Sequence, residues 1–210
     1  MTKKNIKTFA KLVAAVTAEQ MQAHAASVAN EFDDRMTFEN VARPGNMSIQ
    51  VKLVKSKARL TSLGMCANMI AADMNVNFVN RSLNEGKRFN VYAFDKLIDV
   101  LTGVGTSGLM KNAINVAILR SMIACETATV PFTGELAAAS VSDKIKLKAE
   151  FAKLLTRHTV SAATAPTQTS STMNALMVAG IVINTGLARM PVYQMTQTPA
   201  ALRIREVLAA

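Results

Sequence analysis

Apolar residues recur at spacings of three and four over most of this 210-residue chain, the period of helices that turn one face to a core. Ile6, Phe9, Val13 and Val16 open the first such run, and the spacing predicts a helix over about 6–32. Arg43, Pro44, Gly45 and Asn46 form a strong breaker. Met47, Ile49, Val51 and Leu53 then alternate with polar residues, and a period of two predicts a short strand near 47–53. Leu60, Leu63, Ala67 and Ile70 return to helical spacing, and Asn75, Asn77, Asn80 and Asn84 mark a polar loop.

Two further helices are expected at about 90–101 and 107–125, with Gly103 ending the first and Thr106 or Ser107 capping the second. Pro131 and Gly134 break the pattern again. Ser142 and Asp143 offer caps for a helix to about 156, with Leu147, Phe151, Leu154 and Leu155 on one face. Residues 161–171, rich in Ser, Thr and Ala around Pro166, read equally as a loop or as the start of another helix. Thr198 followed by Pro199 is a cap with proline in the first turn, so a terminal helix is expected over 199–208.

Composition adds a sign to this pattern. Apolar residues make up 50% of the chain and charged ones only 18%, which suits a sizeable core and excludes a wholly disordered chain. No apolar run approaches the ~20 residues that a spanning helix needs, and no contact with a membrane is expected. Lys and Arg number 24 against 14 Asp and Glu, a net charge of +10. The excess is uneven: residues 1–60 and 141–210 each carry +5, and residues 61–140 are neutral. Two cationic surfaces on a neutral core attract polyanions, of which nucleic acid is the commonest. The length fits one domain, or a helical core over 1–140 with a basic C-terminal part over 141–210.

Candidate catalytic chemistry is sparse. His24 and His158 have no acidic pair or nucleophile beside them, and Glu31, Asp33 and Asp34 read as a solvated helix end. The run from Gly103 to Gly108 (GVGTSG) lacks the Gly-Lys-Ser/Thr of a phosphate loop, and a helix–turn–helix connection explains it better. Cys66 and Cys125 lie in apolar stretches without metal-ligand spacing, which predicts buried free thiols in a reducing interior. The N-terminal lysines and the Ala23-His24-Ala25 triplet suggest a secretory signal, but Lys11 interrupts the apolar stretch, so an amphipathic helix and a cytoplasmic location are the reading. Neither enzymatic activity nor a cofactor is expected.

Three constellations suit nucleic acid. Lys52, Lys55, Lys57 and Arg59 lie in a stretch without acids, so their charges converge uncompensated. Arg81, Lys87, Arg88, Phe89 and Tyr92 combine cations with rings around an Asn/Gly loop, which is what an unpaired strand needs for phosphate contacts and base stacking. Lys146, Lys153 and Arg157 share one face of the helix expected over 142–156.

Two resemblances extend this reading. Residues 170–182 (SSTMNALMVAGIV) resemble the recognition helix and exit turn of a winged helix, and residues 185–196 (TGLARMPVYQMT), with Arg189, are similar to its wing. This implies a small β-hairpin near 182–196 and places Thr172, Asn174 and Arg189 at a duplex groove. The stretch from Leu155 to Val182 is too short for the motif's full second helix, and Ser, Thr and Asn stand where arginines would read bases.

As a whole the basic opening, KRFNVYAF (87–94) and TAPTQTSSTMNALM (164–177) resemble the single-stranded-DNA-binding RNA polymerase cofactors of lytic podophages. That resemblance implies binding to melted DNA without sequence preference and recruitment of the phage RNA polymerase. The fold expectation is mainly α, with the short strand near 47–53 and the hairpin near 182–196. The functional expectation is a single-strand binder assisting viral transcription or replication. A self-associating virion or assembly protein and a duplex-binding winged-helix regulator are the alternatives.

Overall fold

In a computed structural model the described residues are 3–80, 88–105 and 110–209, with side chains described from residue 8 onward. The protein is mainly α with a small antiparallel sheet. Instead of one opening helix, α1 (Lys3–Ala15) stops and α2 (Ala18–Ala42) begins anew. Thr17 restarts the chain by capping: its Oγ1 accepts from the Gln20 amide, and the Gln20 side chain accepts from the Thr17 amide. After the Pro44-Gly45 turn, where Gly45 takes a φ of 79°, α3 runs over Met47–Leu60.

The strand expected near 47–53 is therefore helix. Asn46 accepts from the Ile49 amide and starts it, and Ile49, Leu53, Ser56 and Leu60 form its buried seam. Met47 and Val51, which completed the alternation, face solvent instead.

Helix α4 (Leu63–Ala71) and a 3-10 turn over Val76–Val79 lead to α5 (Ala93–Val104) and α6 (Ala113–Thr127). Asn112 caps α6, accepting from the amides of Ile114 and Asn115; Thr106 and Ser107 lie outside the described residues. Gly103 and Gly105 serve close packing. A Cβ would stand 2.3 Å from Met110 Cγ at the first and 2.6 Å from Asn68 Nδ2 at the second.

Strand β1 (Phe132–Thr133) and α7 (Gly134–Ala139) follow. The continuous helix expected over 142–156 does not form. Its helical part is α8 (Ala149–Ala152), and the chain folds back so that the His158 and Val160 amides donate to the carbonyls of Ser140 and Val141. Helix α9 (Ala165–Val178), β2 (Val182–Asn184), β3 (Val192–Met195) and α10 (Pro199–Ala209) complete the chain. The hairpin and the terminal helix fall where the sequence places them. Strand β3 lies between β1 and β2, with Phe132 opposite Tyr193 and Ile183 opposite Gln194.

A single cluster of buried residues extends from Phe9 to Ile204. Helix α1 packs on α10, and α5 packs on α9. Phe32, Phe78, Phe89 and Phe94 form an aromatic cluster, with neighbouring ring centroids 5.0–6.3 Å apart. Both cysteines are buried free thiols, and burial raises their pKa values, which disfavours the thiolate form. No described helix is long and apolar enough to cross a membrane.

Candidate nucleic-acid interface

Helix α3 has two apolar seams on opposite sides. The inner one is core, and Met47, Val51 and Val54 recur at four and three on the outer side, all exposed. At 100° per residue, Lys52, Lys55 and Arg59 lie on one flank between the seams, and Lys57 lies on the other.

The charges expected to be uncompensated are half neutralised by acids from other elements. Lys52 Nζ is 2.7 Å from Asp95 on α5, and Lys57 Nζ is 2.6 Å from Asp33 on α2. Lys55 and Arg59 are exposed and have no ion-pair partner among the described residues. One helical turn separates them, about 6 Å along the axis.

The second set divides. Arg81 and Lys87 lie outside the described residues. Phe89 is buried in the aromatic cluster, so it does not serve as a stacking ring. Tyr92 is 50% exposed, and Lys52 Nζ stands 5.4 Å from its ring centroid. With Met47, Ser48, Val51 and Lys55 it lines a shallow depression of about 440 Å³. Arg88 goes elsewhere: its guanidinium lies 3.3 Å over the ring of Phe38 on α2, a partner the sequence does not advertise.

The backbone on either side of residues 81–87 is held from inside the protein. Arg35, buried on α2, donates from Nη1 to the Val79 carbonyl at 2.8 Å and from Nη2 to the Phe89 carbonyl at 3.0 Å. Its Nε pairs with the buried Glu39 carboxylate at 2.8 Å. The Asn90 side chain accepts from the Tyr92 amide, completing a turn that puts Phe89 inward and Tyr92 outward.

Lys146, Lys153 and Arg157 are all exposed, but without a helix over 142–156 they share no helix face. Arg189 is exposed at the tip of the β2–β3 hairpin. The helix that would read a duplex is a core helix, with Ser171, Thr172, Met173, Ala175 and Leu176 buried. Thr172 is fully buried and donates to Asn115 on α6, so it does not reach a base as placed.

A further polar cluster joins α5 to the start of α6. Lys96 on α5 is buried and donates to Asn112 Oδ1 at 2.7 Å. Burial pulls its pKa down to about 8, against the opposing pull of Asp99 and Asp95. Asp99 in turn accepts from the Lys111 and Asn112 amides and from Asn115 Nδ2. His24 is half-buried, and burial lowers its pKa. No cluster of three metal-ligating side chains exists among the described residues. Asp33 is paired with Lys57, and Glu31 accepts from Asn80.

Two cations one turn apart, an apolar seam and a half-exposed ring can hold phosphates and stack an unpaired base at once. The outer seam was legible as a repeat of four and three from Met47, had it been separated from the stronger alternation. No family model, curated protein or solved structure matches this chain.

Proposed function

We propose that this protein binds single-stranded nucleic acid, DNA foremost, without sequence preference, through the outer face of α3 and Tyr92. The observation that carries this reading is Tyr92 itself. A ring 50% exposed beside Lys52 and Lys55, on a basic chain of net charge +10, suits a base more than water. Lys55 and Arg59 hold phosphates along the same flank, and Met47 and Val51 offer apolar contact to a base or sugar. A duplex hides its base faces, so only an unpaired strand uses the whole surface. In this role the protein holds melted DNA during viral transcription or replication and engages the RNA polymerase.

A duplex-reading winged helix draws less support, because Thr172 is buried and α9 packs into the core. The test is a fluorescence-anisotropy titration of the full chain against matched single- and double-stranded oligonucleotides of several sequences and salt concentrations. The expected result is tighter binding to single strands, indifferent to sequence and falling steeply with salt. Equal or tighter binding to a duplex overturns the reading.

A further inference from the structure

A second surface, on other elements, remains after α3 is accounted for. The β2–β3 hairpin ends in a tight turn in which the Met190 amide donates to the Leu187 carbonyl at 3.0 Å. Asn184 Oδ1 braces the loop by accepting from the Gly186 and Val192 amides. Gly186 is required there, since a Cβ would stand 2.5 Å from the Met190 carbonyl oxygen. This internally braced tip presents Leu187 and Met190 to solvent at 69% and 68% exposure, with exposed Arg189 between them.

Beside the tip runs a groove of about 590 Å³ between α7, α9 and β3, with Pro166, Met173 and Pro191 in its walls. Its charged lining residues are Arg189 and Glu135, both exposed. Neither has an ion-pair partner among the described residues.

One cation and one anion, each without an ion-pair partner among the described residues, line a single apolar groove, and such a surface can be complementary to itself. In a two-fold pair each copy meets the same patch turned around, and with the axis midway between the two side chains Arg189 of each faces Glu135 of the other. The apolar tip of each copy then has the other's groove to enter. An acidic partner would match only half of this charge pattern, and nucleic acid would be repelled by Glu135. We infer that the hairpin tip and the α7–α9 groove form the interface of a symmetric homodimer. A braced loop loses little freedom on docking, which favours association. Helix α3 packs on α2, α4 and α5, so both nucleic-acid faces stay on elements outside the interface.

The decisive experiment is sedimentation equilibrium of the full chain as wild type, Glu135→Lys and Arg189→Glu, each alone and then the two variants mixed in equal amounts, without nucleic acid. The wild type should dimerise with rising concentration, and each variant alone should weaken dimerisation tenfold or more by setting like charges together. The mixture should recover wild-type affinity, because a Glu135→Lys copy facing an Arg189→Glu copy restores both contacts. Recovery on mixing also shows that each variant is folded. Leu187→Ser with Met190→Ser should abolish the dimer and leave the melting temperature unchanged at concentrations where the wild type is monomeric. A wild type that stays monomeric up to its solubility limit overturns the inference. So does recovery in the double variant Glu135→Lys/Arg189→Glu but not in the mixture, which would assign the pair to a single copy.

Discussion

Arg35 holds Phe89 by its carbonyl, 3.0 Å from Nη2, and the same guanidinium holds the Val79 carbonyl at 2.8 Å. A buried charge on α2 thus fixes the two chain positions that flank the basic stretch 80–88, and it sets Phe89 into the aromatic cluster. With Phe89 anchored inward, the Asn90 turn sends Tyr92 outward beside α3.

Removing that anchor should be costly. Arg35→Ala leaves the Glu39 carboxylate buried without its main partner and frees two carbonyls, a loss of about 3–5 kcal/mol. For a chain of this size that lowers the melting temperature by roughly 10 °C. The double variant Arg35→Leu/Glu39→Leu should recover part of the loss, because no uncompensated charge remains. Thermal denaturation of the three proteins checks this.

Tyr92→Ala should weaken single-strand binding by about 1–3 kcal/mol, the usual worth of one stacked base, and should leave duplex binding nearly unchanged. The ring is half in solvent and makes no side-chain cap to α5, so the melting curve should not move. Phe89→Ala should do the reverse, lowering stability because the ring belongs to the core. Anisotropy titrations with both strand types, run beside melting curves, separate the two effects.

Lys55 and Arg59 should dominate the salt dependence. Their double replacement by Ala should reduce the slope of log affinity against log salt by about 1.4, at roughly 0.7 per lost single-strand phosphate contact. Lys57→Ala should change that slope much less, since Asp33 already holds its ammonium on the other flank. Equal slopes for the wild type and both variants would make this face an ordinary solvated one.

Lys96 should give stability a pH dependence of known sign. Its folded pKa is lowered to about 8 from 10.5, so between those values the unfolded chain binds a proton that the folded protein does not. This group therefore makes stability rise with pH from about 8 to 10.5, and below about 8 its burial penalty is fully present. Lys96→Met removes the penalty, so the variant's advantage over wild type should shrink steadily across that window. Urea unfolding of both proteins at several pH values between 7 and 10.5 reads the difference directly.

Local chemistry was legible in the sequence, because caps and periodicity act within one or two turns. Thr198 accepting from the Ala201 amide ahead of α10 needs no distant partner. The same holds for the turn at Pro44-Gly45, whereas the hairpin over 182–196 was expected only from the resemblance to a winged helix. The period of two from Met47 to Leu53 misled because those positions also fit a helix: Ile49 and Leu53 fall on one side, Met47 and Val51 on the other. Only burial against α2 and α5 decides which pair is core.

Charge compensation was beyond the sequence for the same reason. Lys57 meets Asp33 across the α2–α3 pair, and Lys52 meets Asp95 on α5, contacts that exist only once the helices pack. Composition could establish that this chain is basic, and the spacing of its apolar residues that it is helical, since neither property depends on how the helices pack. Which cations remain free, which ring faces solvent and whether Thr172 sees water are questions of neighbours far along the chain. Burial of apolar area settles them by choosing the packing, and the charged and aromatic side chains left outside form the surface proposed to bind nucleic acid.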